Sequence, residues 1–100
     1  MGTGEPMKRI LVIEDQEDIR EIVRVTLEME GYETHEAENG PSGLKRAMEL
    51  HPDLVLTDVM MPGGMDGYQV CGRIKSDPAL RRIKVVILSA KDQEQDRRNG

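Results

Sequence analysis

The order of apolar and polar residues predicts short strands separated by helices. Lys8–Glu14 ("KRILVIE"), Asp53–Asp58 ("DLVLTD") and Ile83–Ala90 ("IKVVILSA") are nearly continuous aliphatic runs, typical of parallel strands that are covered on both faces. Tyr32–Glu38 ("YETHEAE") alternates weakly and indicates a short outer strand.

The segments between these strands have helical spacing. In the first, apolar residues recur at Ile19, Ile22, Val23 and Leu27, and Gly31 occupies the position of a C-terminal cap.

The second and third helices are indicated by their ends as well as by their spacing. Pro41 suits a first helical turn, and His51-Pro52 closes the second helix. Asp66 is placed to cap the third. The segment "KDQEQDRRNG" predicts that a polar helix begins at Lys91. The resulting order β-α-β-α-β-α-β-α predicts an α/β fold, a doubly wound parallel sheet with helices on both faces.

Composition narrows the function classes. The chain has 100 residues, enough for one domain, and its formal net charge of −5 argues against a nucleic-acid-binding surface. No apolar run is long enough to span a membrane and no signal peptide is visible, so we expect a cytoplasmic protein with no membrane partner. Residues 1–7 have no periodic pattern and are expected to be a disordered tail or a cloning remnant. Residues 8–100 would then form the domain.

Four oxygen-bearing side chains follow the predicted strands. Glu14 and Asp15 end the first, Asp58 ends the third and Ser89 the fourth. In an open parallel sheet the carboxyl ends of the strands share one edge, which is where ligands bind. Each acid taken alone could be a turn residue or a helix-capping residue. Together they predict an all-oxygen site for Mg²⁺, where a carboxylate could accept a phosphoryl group and Ser89 could donate a hydrogen bond to it.

These residues resemble the receiver domains of two-component response regulators. The resemblance runs from Lys8 through nearly the whole chain and rests on "ILVIED", "LEMEGYETHEAENGPSGL", "PDLVLTDVMMPGGMDG" and "IKVVILSA", in that order. It implies a flavodoxin-like sheet of order 2-1-3-4-5.

The resemblance also implies a role for each residue of the site. Asp58 would be the phosphoacceptor, and Glu14, Asp15, Asp58 and the backbone carbonyl of Met60 would hold Mg²⁺. Ser89 would be the switch hydroxyl. The phosphoryl donor would be a phosphohistidine on a sensor histidine kinase or a phosphotransfer domain, and the signal would pass to a downstream protein partner.

The sequence departs from the family pattern in two places. The loop after Asp58 carries one glycine more than the usual spacing, at Gly63-Gly64, beyond the Met60 carbonyl. The chain stops at Gly100, whereas the family continues with a fifth strand, which bears a lysine, and a fifth helix. We therefore expect a truncated sheet of order 2-1-3-4. Its exposed fourth-strand edge would favour homodimers or segment swapping.

Two other functions remain open at this point. The fragment could be an interaction or dimerisation module of the same fold that no longer switches. It could instead be a phosphohydrolase with an aspartate nucleophile, but such enzymes usually carry a second aspartate two positions later, where this chain has Met60. We expect a signalling domain that takes part in its own phosphorylation and dephosphorylation, and not an enzyme with a separate substrate.

Overall fold

The structure is a computed structural model that describes residues 8–59 and 65–88. The predicted tail (1–7) and the predicted polar helix that begins at Lys91 lie outside these ranges. The described elements are β1 (Arg9–Ile13), α1 (Glu17–Met29), β2 (Glu33–Ala37), α2 (Gly40–Leu50), β3 (Leu54–Asp58), α3 (Gly67–Ser76) and β4 (Lys84–Leu88).

The described strands form one parallel sheet of order β2-β1-β3-β4, which confirms the predicted fold class and strand order. Arg9 pairs with Glu33 and Ile13 with Ala37, so β1 and β2 are each one residue shorter at either end than the sequence pattern predicts. The weakly alternating β2 lies at an edge, as expected for a strand with few apolar residues.

Capping residues mark the C-terminus of α1 and the N-termini of α2 and α3. Gly31, which follows the C-cap of α1, has a φ of +93°, a left-handed conformation that costs glycine little. The Asn39 side chain accepts a hydrogen bond of 2.8 Å from the Ser42 backbone N–H. Asp66 and Gln69 form a reciprocal capping box at the start of α3, which confirms the predicted N-cap.

One face of the sheet carries the main hydrophobic core. Successive residues of a strand face opposite sides of the sheet, so Leu11 and Ile13 reach the side on which α2 and α3 pack. The core cluster of buried residues comprises Leu11, Ile13, Ala37, Ala47, Val55, Val70, Ile74, Leu80 and Ile83.

The other face of the sheet carries α1. None of the residues of α1 is buried, and its apolar positions Ile22 and Met29 are 65% and 80% exposed. Between α1 and the strands lies a groove of about 550 Å³, whose apolar lining is Ile10, Leu27, Tyr32, Leu54 and Leu56. The helical spacing of α1 was predicted correctly, but the described residues leave much of its apolar side in solvent.

Candidate functional site

Three carboxylates meet at the carboxyl edge of the sheet. Glu14 and Asp15 follow β1 directly, and Asp58 is the last residue of β3. Because β1 and β3 are neighbours with Ile13 opposite Thr57, their ends arrive side by side. Oxygen atoms of the three carboxylates lie within 4.8 Å of one another. The structure therefore brings together three of the four side chains that the strand ends indicated.

Glu14 is the most enclosed of these acids, with only 3% of its surface exposed. Its backbone N–H donates to the Ala37 carbonyl at 3.0 Å, and its side chain accepts from the Gln16 backbone N–H at 3.0 Å. Burial raises the pKa of the Glu14 carboxyl, the Gln16 N–H opposes that rise, and the neighbouring Asp58 and Asp15 add to it. Burial and the two neighbouring carboxylates thus disfavour a negative charge on Glu14.

The backbone around Asp58 is held by the start of α3. The Gly67 N–H donates to the Val59 carbonyl at 2.9 Å, and the Val59 N–H donates to the Leu88 carbonyl at 3.3 Å. A Cβ atom at Gly67 would collide with the carbonyl oxygen of Asp58. Gly67 is thus a residue of the site that the sequence analysis missed. Its only signal was its place directly after the Asp66 cap.

Several predicted residues lie outside the described part of the chain. These are Met60, whose carbonyl was assigned to the metal, Ser89, assigned to the phosphoryl group, and the additional glycine at Gly63-Gly64. Their roles stay predictions.

The donor set fits a small divalent cation. Its donors are carboxylate oxygens, which Mg²⁺ and Ca²⁺ prefer, and the residues that the structure describes there contribute no sulfur or imidazole. Burial is the main cause of the raised pKa of Glu14, and the neighbouring Asp58 and Asp15 add a repulsion of the kind that a divalent cation relieves. Glu14, Asp15 and Asp58 are therefore chemically suited to hold Mg²⁺.

Arg20 is a second residue that the sequence analysis missed. It lies in α1, yet its Nη1 donates to the Glu14 carbonyl at 2.8 Å and its Nε donates to Glu36 Oε1 at 3.0 Å. These contacts join α1 to the ends of two strands, and no local sequence pattern indicates them.

Comparisons with known proteins agree with this architecture. The sequence profile of the response regulator receiver domain matches residues 10–100. The chain is 40% identical over 94 residues to the DNA-binding dual master transcriptional regulator RpaA of Synechocystis sp.. It is 45% identical over 92 residues to the response regulator PleD of Caulobacter vibrioides. These alignments cover 94% and 92% of this chain, but only 39% and 20% of the two relatives.

A solved structure supports the same relationship. The response regulator protein TrrA from Thermotoga maritima, crystallised in complex with Mg²⁺ and BeF, superposes with a TM-score of 0.80 at 39% sequence identity. The match covers 90% of this chain and 76% of that one. Among the described residues, no helix is both long enough and apolar enough to cross a membrane. The four-stranded parallel sheet, the acidic cluster at its carboxyl edge and these matches show that the chain belongs to the response regulator receiver domain family.

Proposed function

We propose that this chain is the phosphoacceptor module of a two-component system, with Asp58 as the residue that takes the phosphoryl group. One observation carries the proposal: in a chain of the receiver family, Asp58 lies at the sheet's carboxyl edge with carboxylate oxygens of Glu14 and Asp15 within 4.8 Å.

The transfer follows from ordinary carboxylate chemistry. An Asp58 oxygen attacks the phosphorus of a phosphohistidine, an O–P bond forms and the P–N bond breaks. The electron pair of the broken bond returns to the imidazole nitrogen, which takes up a proton. The Ser89 hydroxyl is assigned as a hydrogen-bond donor to the transferred group.

Glu14, Asp15, Asp58 and the Met60 carbonyl would hold Mg²⁺, which would neutralise charge on the phosphoryl oxygens. Glu14 is buried, and the hydrogen bond from the Gln16 N–H restrains the orientation of its carboxyl group. Gly67 leaves room for the Asp58 backbone beside α3.

The partners follow from this chemistry. The donor would be a sensor histidine kinase or a phosphotransfer domain, and the output would be binding to a downstream protein, in the cytoplasm where such relays operate. RpaA is named as a DNA-binding regulator, but this chain spans only 39% of it. We propose phosphoacceptance for this chain, and its formal net charge of −5 argues against direct contact with nucleic acid. We likewise propose a signalling domain that takes part in its own phosphorylation and dephosphorylation, and not an enzyme with a separate substrate.

Self-association is a second candidate role, compatible with the first. In the described ranges β4 pairs with β3 alone, and Val86 of β4 is 44% exposed. We propose that a second copy pairs along this edge or exchanges a segment there. Light scattering over a range of protein concentrations tests this. Val86→Lys should keep the chain monomeric, and a monomer at every concentration in the unsubstituted protein would contradict it.

The phosphoacceptor proposal is tested with a small phosphodonor. The protein is incubated with Mg²⁺ and acetyl phosphate, and its intact mass is measured. We expect one phosphoryl adduct that disappears in Asp58→Ala and in excess EDTA. Asp53→Ala is the matched control, because Asp53 precedes the same strand at its opposite end, where it accepts a hydrogen bond from the Arg9 N–H.

The alternatives give different results. An adduct that survives in Asp58→Ala would contradict the assignment of this residue. A folded protein that forms no adduct at any donor concentration would support a non-switching module. Repeated turnover of a phosphoester would support the phosphohydrolase.

A further inference from the structure

We propose that Arg20 is a positioning residue for the metal-binding acids: it holds the peptide group between Glu14 and Asp15 in the orientation that Mg²⁺ requires. This inference rests on the proposed function, since it assigns a role in the same site. Arg20 belongs to α1 and is not itself a ligand of the proposed metal.

The contact falls on one particular peptide group. Nη1 of Arg20 donates to the Glu14 carbonyl oxygen at 2.8 Å. That oxygen and the backbone nitrogen of Asp15 belong to the same peptide unit, which is planar. Fixing the oxygen therefore restrains the Asp15 Cα, the atom from which that side chain leaves the backbone. Glu14 is held on its other side by the hydrogen bond from its N–H to the Ala37 carbonyl at 3.0 Å.

The guanidinium is itself held in place. Its Nε donates to Glu36 Oε1 at 3.0 Å, and the Arg20 side chain is only 15% exposed. The second Glu36 oxygen accepts from Nε of Arg24 at 2.6 Å. Glu36 thus binds two arginines on successive turns of α1. Of these two arginines, Arg20 also contacts the β1–α1 loop, at the Glu14 carbonyl. A planar, forked guanidinium can serve two acceptors at once, which a lysine ammonium does less rigidly.

The N-terminus of α1 lacks a side-chain cap, so the few other contacts of the preceding loop matter more. The N-cap residue, Gln16, makes no side-chain capping hydrogen bond. The described hydrogen bonds that hold the β1–α1 loop are the Gln16 N–H to Glu14 bond, the Arg20 N–H to Gln16 carbonyl bond, the Glu14 N–H to Ala37 carbonyl bond and the Arg20 guanidinium bond. The last two connect the loop to β2, and of these only the guanidinium bond uses a side chain that can be substituted.

The experiment measures Mg²⁺ binding directly, by calorimetric titration of the full chain with Mg²⁺ alone. The variants are Arg20→Gln, which removes the fork, and Arg20→Lys, which keeps the charge. Arg24→Gln is the matched control, because it removes the other ion pair of Glu36 and leaves the Glu14 contact in place. Urea denaturation in EDTA establishes that each variant is folded. If Arg20→Gln does not fold, Arg20→Lys decides the comparison.

We expect both Arg20 variants to raise the Mg²⁺ dissociation constant about tenfold, the lower end of the effect of removing a residue that orients a ligand. Arg24→Gln should stay within about twofold of the unsubstituted protein, because it does not touch the loop. With acetyl phosphate, the Arg20 variants should need more Mg²⁺ for half-maximal phosphorylation but approach the normal rate when saturated.

Three results would overturn the inference. Equal weakening by Arg24→Gln would assign the effect to the stability of α1 as a whole. Unchanged Mg²⁺ affinity in both Arg20 variants would show that the loop holds its geometry without them. If the unsubstituted chain binds no Mg²⁺, the proposed function fails, and this inference fails with it.

Discussion

The two faces of the sheet are built from the same strands but obtain very different packing. On the α2/α3 face, Ile13 and Val55 are completely buried and contribute to a continuous core. On the α1 face, the helix contributes no buried residue, and the groove beside it keeps about 550 Å³ of open space among the described residues.

The two faces therefore contribute differently to the stability of the fold and to the functional site. Buried aliphatic side chains contribute roughly 1.5–3 kcal/mol each, so the α2/α3 face supplies most of the stability that the described residues can account for. The α1 face contributes less to stability, but it carries Arg20 and Arg24, whose ion pairs with Glu36 tie α1 to β2.

The largest expected effect comes from removing a side chain of the packed face. Ile13→Ala should lower the free energy of unfolding by about 3 kcal/mol, because it removes a fully buried side chain and leaves a cavity. Urea denaturation followed by circular dichroism measures the change. A loss below about 1 kcal/mol would show that this face repacks readily, and the contrast between the faces would weaken.

Adding a methyl group where α2 packs against Ile13 should lower the free energy of unfolding by a somewhat smaller amount. A Cβ atom at Gly43 would collide with the Cδ1 of Ile13, so Gly43→Ala should lower the free energy of unfolding by about 2 kcal/mol. Ile13→Val removes that Cδ1. The double variant should therefore be more stable than the sum of the two single changes predicts. Strict additivity would mean that the clash is relieved by some other movement.

Burial of Glu14 lowers the stability of the folded protein, because the buried group is a carboxyl whose pKa is raised. In EDTA, an unfolded chain loses this proton near the ordinary carboxyl pKa, whereas the folded protein keeps it to higher pH. Stability therefore falls as pH rises from the ordinary to the raised pKa.

Glu14→Gln cannot ionise, so in EDTA it should be more stable than the unsubstituted protein at neutral pH. The gain should be smaller than either loss above and should vanish below the ordinary carboxyl pKa. Denaturation at a series of pH values measures it. A less stable Glu14→Gln at neutral pH would contradict the sign.

The smallest effect is expected on the exposed side of α1. Ile22→Ala should change the free energy of unfolding by no more than about 0.5 kcal/mol, because the side chain is 65% exposed. Denaturation at several protein concentrations gives the test. A larger loss would mean that the face is covered, by a second copy if the loss depends on concentration and within the same chain if it does not.

Much of the fold could be predicted because it is locally encoded. Aliphatic runs marked the strands, and Gly31 and Asp66 marked helix ends, since these signals depend on residues close together in the chain. The convergence of Glu14, Asp15 and Asp58 could also be anticipated, because parallel strands deliver their carboxyl ends to one edge. Gly67 and Arg20 could not, because their importance depends on atoms far away in sequence.

Residues close together in the chain are enough to indicate which segments are strands and helices, in what order they occur, and which acids end the strands. Periodicity and capping chemistry are local properties that are present before the chain folds. Three further features follow from how the elements pack together. Arg20 reaches the Glu14 carbonyl and Glu36, Gly67 packs against Asp58, and one sheet face is filled while the other keeps a groove among the described residues. Those outcomes depend on distances between elements, which are set when the helices pack against the sheet.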